Sequence, residues 1–304
     1  MKVVVNERRC FGSGQCVLVA PEVFEQSNDG TVTLLVDKPS PDNHSLVRAA
    51  ARSCPATAIR FEENAMRQEP TEFSYDDLPA LISRMRGDER HSFSSSSTMD
   101  VLWVLYDEIL NVSPESPDDD DRDRFLLSKG HGPMAYYAVL AAKGFLRPEL
   151  LDTWATKNSP LGFAPDRTKI SGVEMSGGSL GHGLPLAVGV AMGLRIQNRH
   201  APRVFVLIGD GEFDEGSNHE AMAFAGRARL NQLTVIVLDN GTASMGWPHG
   251  IDKRFDGEGW DTININGADH EEIAAALNRD HNDRPLAVVA TVTRQSARSS
   301  IQQR

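Results

Sequence analysis

The sequence predicts two folded regions of different class: a small α+β unit over residues 1–64 and an α/β domain with a parallel sheet over residues 99–294. A linker, 65–98, joins them, and residues 295–304 form a tail. In the first region, the β-rich runs "KVVV" and "TVTLLV" surround a helix-like "VLVAPEVFE" and a helical "NHSLVRAAARS". In the second, apolar helical patterns alternate with buried-strand runs such as "RVFVLIGD" and "LTVIVLDN", the pattern of strands covered on both faces by helices. Between them, "RQEPTEFSYDDLPALISRMRGDERHSFSSSST" holds one helical patch, Leu78 to Met85. Charged and serine-rich residues follow it, which predicts a linker mobile at its serine end. The final "QSARSSIQQR" reads as an untethered tail.

At 304 residues the chain has ample material for a core, and its formal net charge of −11 argues against nucleic acid or an anionic membrane as partner. Much of the acid falls in runs such as "PDDDDRDR", which read as solvated loop. No apolar stretch is long enough to span a bilayer, and "MKVVVNERRC" lacks the apolar core of a secretion signal. The expectation is a cytoplasmic protein with no membrane partner. Three cysteines in a reducing compartment then have metal binding, redox chemistry or simple burial as their uses.

The stretch "CFGSGQC" places Cys10 and Cys16 six positions apart, with Ser13 where the middle cysteine of a C-x2-C-x2-C cluster loop would fall. Cys54, followed by Pro55, supplies a third thiolate, and three thiolates suit a cluster of three irons. Gly12 and Gly14 let the backbone curl around sulfides, to which the exposed amides can donate hydrogen bonds. Two other readings stand beside this one. The thiols could be buried as small hydrophobic groups, or a 4Fe-4S cluster could take Ser13 or water as fourth ligand, although a hydroxyl is a poor substitute for a thiolate.

On "CFGSGQCVLVAPEVFEQSNDGTV" and "CPATAIRFEE", the first 64 or so residues resemble the small actinobacterial 3Fe-4S ferredoxins that serve cytochromes of the P-450 type. The resemblance implies a ferredoxin-like fold and a 3Fe-4S cluster on Cys10, Cys16 and Cys54. It also implies single-electron transfer from a ferredoxin reductase to a cytochrome P-450 monooxygenase.

The second region centres on "VLIGDGEFDEGSNHEAMAFAGRARLNQLTVIVLDNGT". A buried strand ends at Gly209, Asp210 opens a loop, a helix follows from about Asp214, and a second strand ends at Asp239-Asn240. Acid and amide thus lie at the carboxyl ends of parallel strands, where ligands of such sheets bind. Magnesium takes oxygen ligands in octahedral geometry and commonly shares them with a diphosphate. Asp210, the Asn240 side chain and the Thr242 carbonyl could supply three, and Gly211 lets phosphates approach the main chain.

This constellation, with "DRDRFLLSKGHGPMAYYAVLAAKGF" and "GVEMSGGSLGHGLPLAVGVAMGL", resembles the amino-terminal, thiamine-diphosphate-binding half of transketolases, especially those split into two subunits. The resemblance implies that His131 touches the diphosphate or substrate and that Gly178 and Leu180 face the aminopyrimidine. Glu215 would lie at the active-site interface with a partner, and Asp210, Asn240 and the Thr242 carbonyl would hold Mg2+. Singly, each residue has a duller reading as strand terminator, helix cap or turn glycine; their order over about two hundred residues carries the argument.

Two features depart from a self-sufficient transketolase. The glutamate that activates the cofactor belongs to a pyrimidine-binding domain expected on a separate transketolase-like subunit, which makes the expected assembly a hetero-oligomer. In "LGFAPDR", Ala164 stands where a substrate-facing histidine is usual, which argues against the ordinary sugar-phosphate route. The primary expectation is therefore ferredoxin-type electron transfer with a thiamine-type domain appended. The alternative is a catalytic subunit of a transketolase or 2-oxoacid oxidoreductase type that uses the cluster as electron acceptor. A fusion of this kind resembles the ferredoxin of plant-fasciation loci, which implies a virulence role in making or modifying a hormone of the cytokinin class.

Overall fold

The computed structural model describes residues 1–56, 58–62, 73–86, 97–244, 246–281 and 283–293. The chain forms two units, Met1–Arg67 and Gln68–Arg304.

The first unit runs β1 (Lys2–Val5), α1 (Gln15–Val19), β2 (Phe24–Gln26), β3 (Val32–Leu34), α2 (His44–Ser53) and β4 (Ile59–Glu62). β1 pairs antiparallel with β4, and β2 with β3. Val3, Val23, Phe24, Val32, Val47, Ala50 and Ile59 form its core together with Cys16 and Cys54. The helix expected across "VLVAPEVFE" stops at Val19. A residue before proline is driven out of the α region, and Ala20, preceding Pro21, has φ −138°. The chain then turns, and Phe24 starts a strand with its ring buried.

The second unit contains a five-stranded parallel sheet, β5 (Arg124–Leu127), β6 (Val204–Gly209), β7 (Leu233–Asp239), β8 (Asp261–Asn266) and β9 (Leu286–Thr291), in the order β5-β6-β7-β9-β8. Successive residues of a strand face opposite sides, so the sheet feeds two cores. Phe205, Leu207, Ile236, Leu238 and Val288 face the layer that holds α3 (Leu78–Arg84), α4 (Met99–Val104) and α5 (Pro133–Ala142). Val204, Val206, Ile208, Val235 and Val237 face α6 (Gly183–Ile196), α7 (Gly216–Arg227) and α8 (Ile251–Gly257). β6 is apolar throughout and buried along its length, and β7 is buried from Leu233 to Leu238, as a sheet covered on both faces requires. A last helix, α9 (His270–Leu277), packs on the first of these layers.

Part of the expected linker is folded into this second unit. Leu78, Leu81 and Met85, spaced to share one helix face, are buried in its core. Tyr75 donates to the buried Asp100 carboxylate at 2.6 Å, and the His270 ring, 3.0 Å from the same oxygen, packs edge-on against Tyr75. Residues 73–86 are therefore part of the domain rather than linker. The serine-rich stretch before Ser97 and the tail 295–304 lie outside the described residues.

α7 packs so closely on the turn after α8 that a Cβ on Gly226 would overlap the Glu258 carbonyl oxygen. Backbone cannot swing aside as a side-chain tip can, so Gly226→Ala is expected to destabilise the second unit by about 1–3 kcal/mol. Thermal melting of the variant beside the parent chain checks this; an unchanged midpoint would show that the helix can shift outward.

Candidate functional sites

In the first unit, Cys10, Cys16 and Cys54 line a single cavity together with Ser13, Gly14, Gln26 and Val32. Cys16 and Cys54 are buried and Cys10 is partly exposed. Three backbone N–H groups point at sulfur: Gly12 and Val32 at Cys10 Sγ, and Ala58 at Cys54 Sγ, each at 3.4 Å. Gly12 and Gly14 sit in the left-handed region, at φ +78° and +68°, which a side chain would resist. Burial pushes the Cys16 thiol up, with the neighbouring Cys54 and Cys10 adding to the effect. Among the described residues no three His, Cys, Asp or Glu side chains converge on a single ion. Thiols spread around a cavity with N–H donors aimed at them suit a cluster, whose irons each take their own thiolate. Gln26 was not singled out from the sequence; its amide donates to Gly12 O at 3.1 Å and Gly30 O at 2.6 Å, tying the cysteine loop to the β2–β3 turn.

In the second unit, the chain leaves β6 through Asp210, which is fully buried. Its Oδ2 accepts from Thr242 N at 2.6 Å and Ala243 N at 2.8 Å, so the loop after β7 is folded onto the end of β6. The Thr242 hydroxyl lies 2.6 Å from Asp210 Oδ1 and 2.8 Å from Asn240 Oδ1. One hydroxyl proton cannot serve both acceptors, so this cluster of oxygens has the chemistry a hard cation satisfies. A Cβ on Gly211 would lie 3.4 Å from Thr242 O, which keeps that carbonyl beside the glycine backbone. Asp210, Gly211, Asn240 and Thr242 are thus brought together at the carboxyl edge of the sheet.

His131 is exposed on the loop after β5, and its carbonyl oxygen lies 3.4 Å from Lys129 Nζ. Gly178 has φ +112°, and a Cβ there would sit 3.3 Å from Ala164, so Ala164 abuts the loop expected at the aminopyrimidine. Leu180 is 44% exposed, with its Cδ2 3.2 Å from where a Cβ on Gly130 would lie; Glu215 is exposed at the start of α7.

Three neighbours were missed. Lys129, Glu212 and Ser128 are buried among these loops. Burial lowers the Lys129 pKa to about 8 against the opposing pull of Asp210 and Glu212. Burial raises that of Glu212 against hydrogen bonds from Ser128, Gly181 and Gly209. The available signal was a lysine soon after the apolar run "FLL" and a second acid two positions after Asp210.

The family model for "Transketolase, thiamine diphosphate binding domain" matches residues 86–301, and the chain belongs to this family. Residues 5–61 match a second model, "4Fe-4S single cluster domain of Ferredoxin I", so a ferredoxin-like domain precedes the thiamine-diphosphate-binding one. The 6-deoxy-6-sulfo-D-fructose transketolase subunit SqwG of a Clostridium species is 37% identical over 196 residues, 62% of this chain and 70% of that protein. An apulose-4-phosphate transketolase subunit of Actinobacillus succinogenes is 33% identical over 221 residues, 70% of this chain and 80% of that one. Among solved structures, the transketolase of Campylobacter jejuni superposes with a TM-score of 0.60 at 25% identity, covering 71% of this chain and 37% of its own.

Because Asp210 satisfies two N–H groups and a hydroxyl before any ligand arrives, Asp210→Ala is expected to destabilise the ligand-free second unit by about 2–3 kcal/mol. Urea unfolding without added cofactor checks this, and an unchanged midpoint would mean that the loops close without the carboxylate.

Proposed function

We propose that this chain is a two-cofactor subunit: a single-electron carrier with a 3Fe-4S cluster on Cys10, Cys16 and Cys54, joined to the thiamine-diphosphate-binding half of a two-chain enzyme. The observation that carries the electron-transfer half is the shared cavity of three thiols with N–H groups aimed at sulfur. Ser13 stands in the middle position of that loop, and its hydroxyl, a poor iron ligand, favours three irons over four. A ferredoxin reductase as donor and a cytochrome P-450 monooxygenase as acceptor follow from the resemblance of the first 64 residues.

In the second unit, Asp210, Asn240 and the Thr242 carbonyl would hold Mg2+ and so fix the diphosphate. His131 would face diphosphate or substrate, and Gly178 and Leu180 the aminopyrimidine. Bound thiamine diphosphate supplies a nucleophilic carbon. The relatives named as subunits support a separate pyrimidine-domain partner, and Glu215, exposed at the start of α7, would meet it.

A second reading makes the thiamine site the electron source, with a 2-oxo acid as substrate and the cluster as acceptor. The fusion of the two units in one chain favours it, as does Ala164 beside Gly178 in place of a substrate-facing histidine.

The deciding experiment follows cluster absorption of anaerobically isolated protein supplied with Mg2+, thiamine diphosphate and the pyrimidine-domain partner. Bleaching on addition of a 2-oxo acid supports the second reading, whereas bleaching only by a reductase and its nucleotide supports the first. Protein that binds no iron would overturn both. Replacing Ser13 by cysteine is expected to abolish the oxidised three-iron paramagnetic resonance signal and give a four-iron signal on reduction, and persistence of the three-iron signal would contradict the role given to Ser13.

A further inference from the structure

Glu212 is not among the groups assigned to the cofactor, yet it is only 4% exposed, and two distant loops and the end of its own strand donate to it. Its Oε1 accepts from the Ser128 hydroxyl, on the loop after β5, and from Gly181 N at 3.0 Å, on the loop before α6. Its Oε2 accepts from Gly209 N at 3.2 Å, at the end of β6. Ser128 Oγ itself accepts from Gly183 N at 3.0 Å, which leaves its proton for Glu212. All three partners are donors, and the two carboxyl oxygens accept from all of them; a carboxamide would turn N–H toward N–H at one.

We propose that Glu212 is the positioning residue of the diphosphate site, whose carboxylate fixes the loop bearing His131 and the loop bearing Gly178 and Leu180 against the strand end bearing Asp210. The proposal rests on the thiamine reading of the second unit. These loops have no slack to find the same arrangement unaided. A Cβ on Gly183 would overlap Ser128, and one on Gly181 would lie 2.6 Å from Glu215 Cβ. The backbone oxygen of Glu212 also accepts from the buried Asn218 amide of α7 at 2.8 Å, so the residue that gathers the loops is itself anchored.

The test uses the full chain together with its pyrimidine-domain partner, thiamine diphosphate and Mg2+, comparing Glu212→Gln, Ser128→Ala and the double variant. Affinity is read from tryptophan emission, since Trp247 Nε1 lies 3.3 Å from Asp210 O, and ligand-free melting is read separately. Glu212→Gln should weaken thiamine diphosphate binding by about tenfold or more, the equivalent of one unsatisfied buried donor. Ser128→Ala should weaken it in the same direction. The double variant should lose less than the product of the two single losses, because both changes act on the one side chain that gathers the loops. Ser128→Ala, the smaller change, keeps the test open should Glu212→Gln fail to fold. Affinities within about twofold of the parent chain for both single variants, with only the melting temperature lowered, would overturn the proposal, as would losses that multiply in the double variant. No binding by the parent complex would remove the thiamine reading and this inference with it, whereas tight parental binding with unimpaired variants would remove this inference alone.

Discussion

Two buried carboxylates two positions apart, Asp210 and Glu212, set the terms on which the second unit folds at its ligand edge. Each buried anion costs several kcal/mol in lost hydration unless hydrogen bonds and opposite charge replace the water. The loops after β5 and β7 and the loop before α6 supply that replacement through their backbone N–H groups and hydroxyls. Lys129, itself buried, contributes the opposing charge. The shape of the edge follows from this need. The loops bearing His131, Gly178 and Thr242 are drawn onto the end of β6, so the groups expected to meet a diphosphate are assembled by the same contacts that offset burial of the acids.

The first unit meets a parallel demand with softer chemistry. Three thiols share a cavity in a unit of only six regular α and β elements among its described residues. Left-handed glycines allow amides to turn toward sulfur, and Gln26 ties the cysteine loop to the neighbouring turn. Hydrogen bonds to sulfur and solvent exposure are what tune the potential of an iron–sulfur centre. The residues that shape this loop are therefore also those that would set its electron affinity.

Legibility in the sequence followed how local each constraint was. β6 and β7 could be read because a strand buried on both faces must be continuously apolar. Asp210 and Asn240 could be placed together because the carboxyl ends of parallel strands share an edge. The three cysteines could be grouped from the spacing of Cys10 and Cys16 and from the proline after Cys54, and they line one cavity. What escaped depends on partners distant in the chain. Tyr75 looked like linker because Asp100 and His270, which hold it, lie far along the sequence. Glu212 looked like one more acid in an acidic chain because two of its three donors, Ser128 and Gly181, lie 84 and 31 positions away. The strand order, with β9 between β7 and β8, likewise arises from non-local pairing. At "VLVAPEVFE" the apolar pattern outweighed Pro21 in the reading, but not in the fold.

The central claim is that one chain holds an iron–sulfur cluster and a thiamine-diphosphate site. Native mass spectrometry of the anaerobically isolated protein in complex with its pyrimidine-domain partner, run with and without thiamine diphosphate and Mg2+, tests it most directly. The account predicts a chain carrying three irons and four sulfides that gains one thiamine diphosphate and one magnesium when they are supplied. A bare polypeptide mass under both conditions, or two populations that each hold one cofactor and never both, would contradict it.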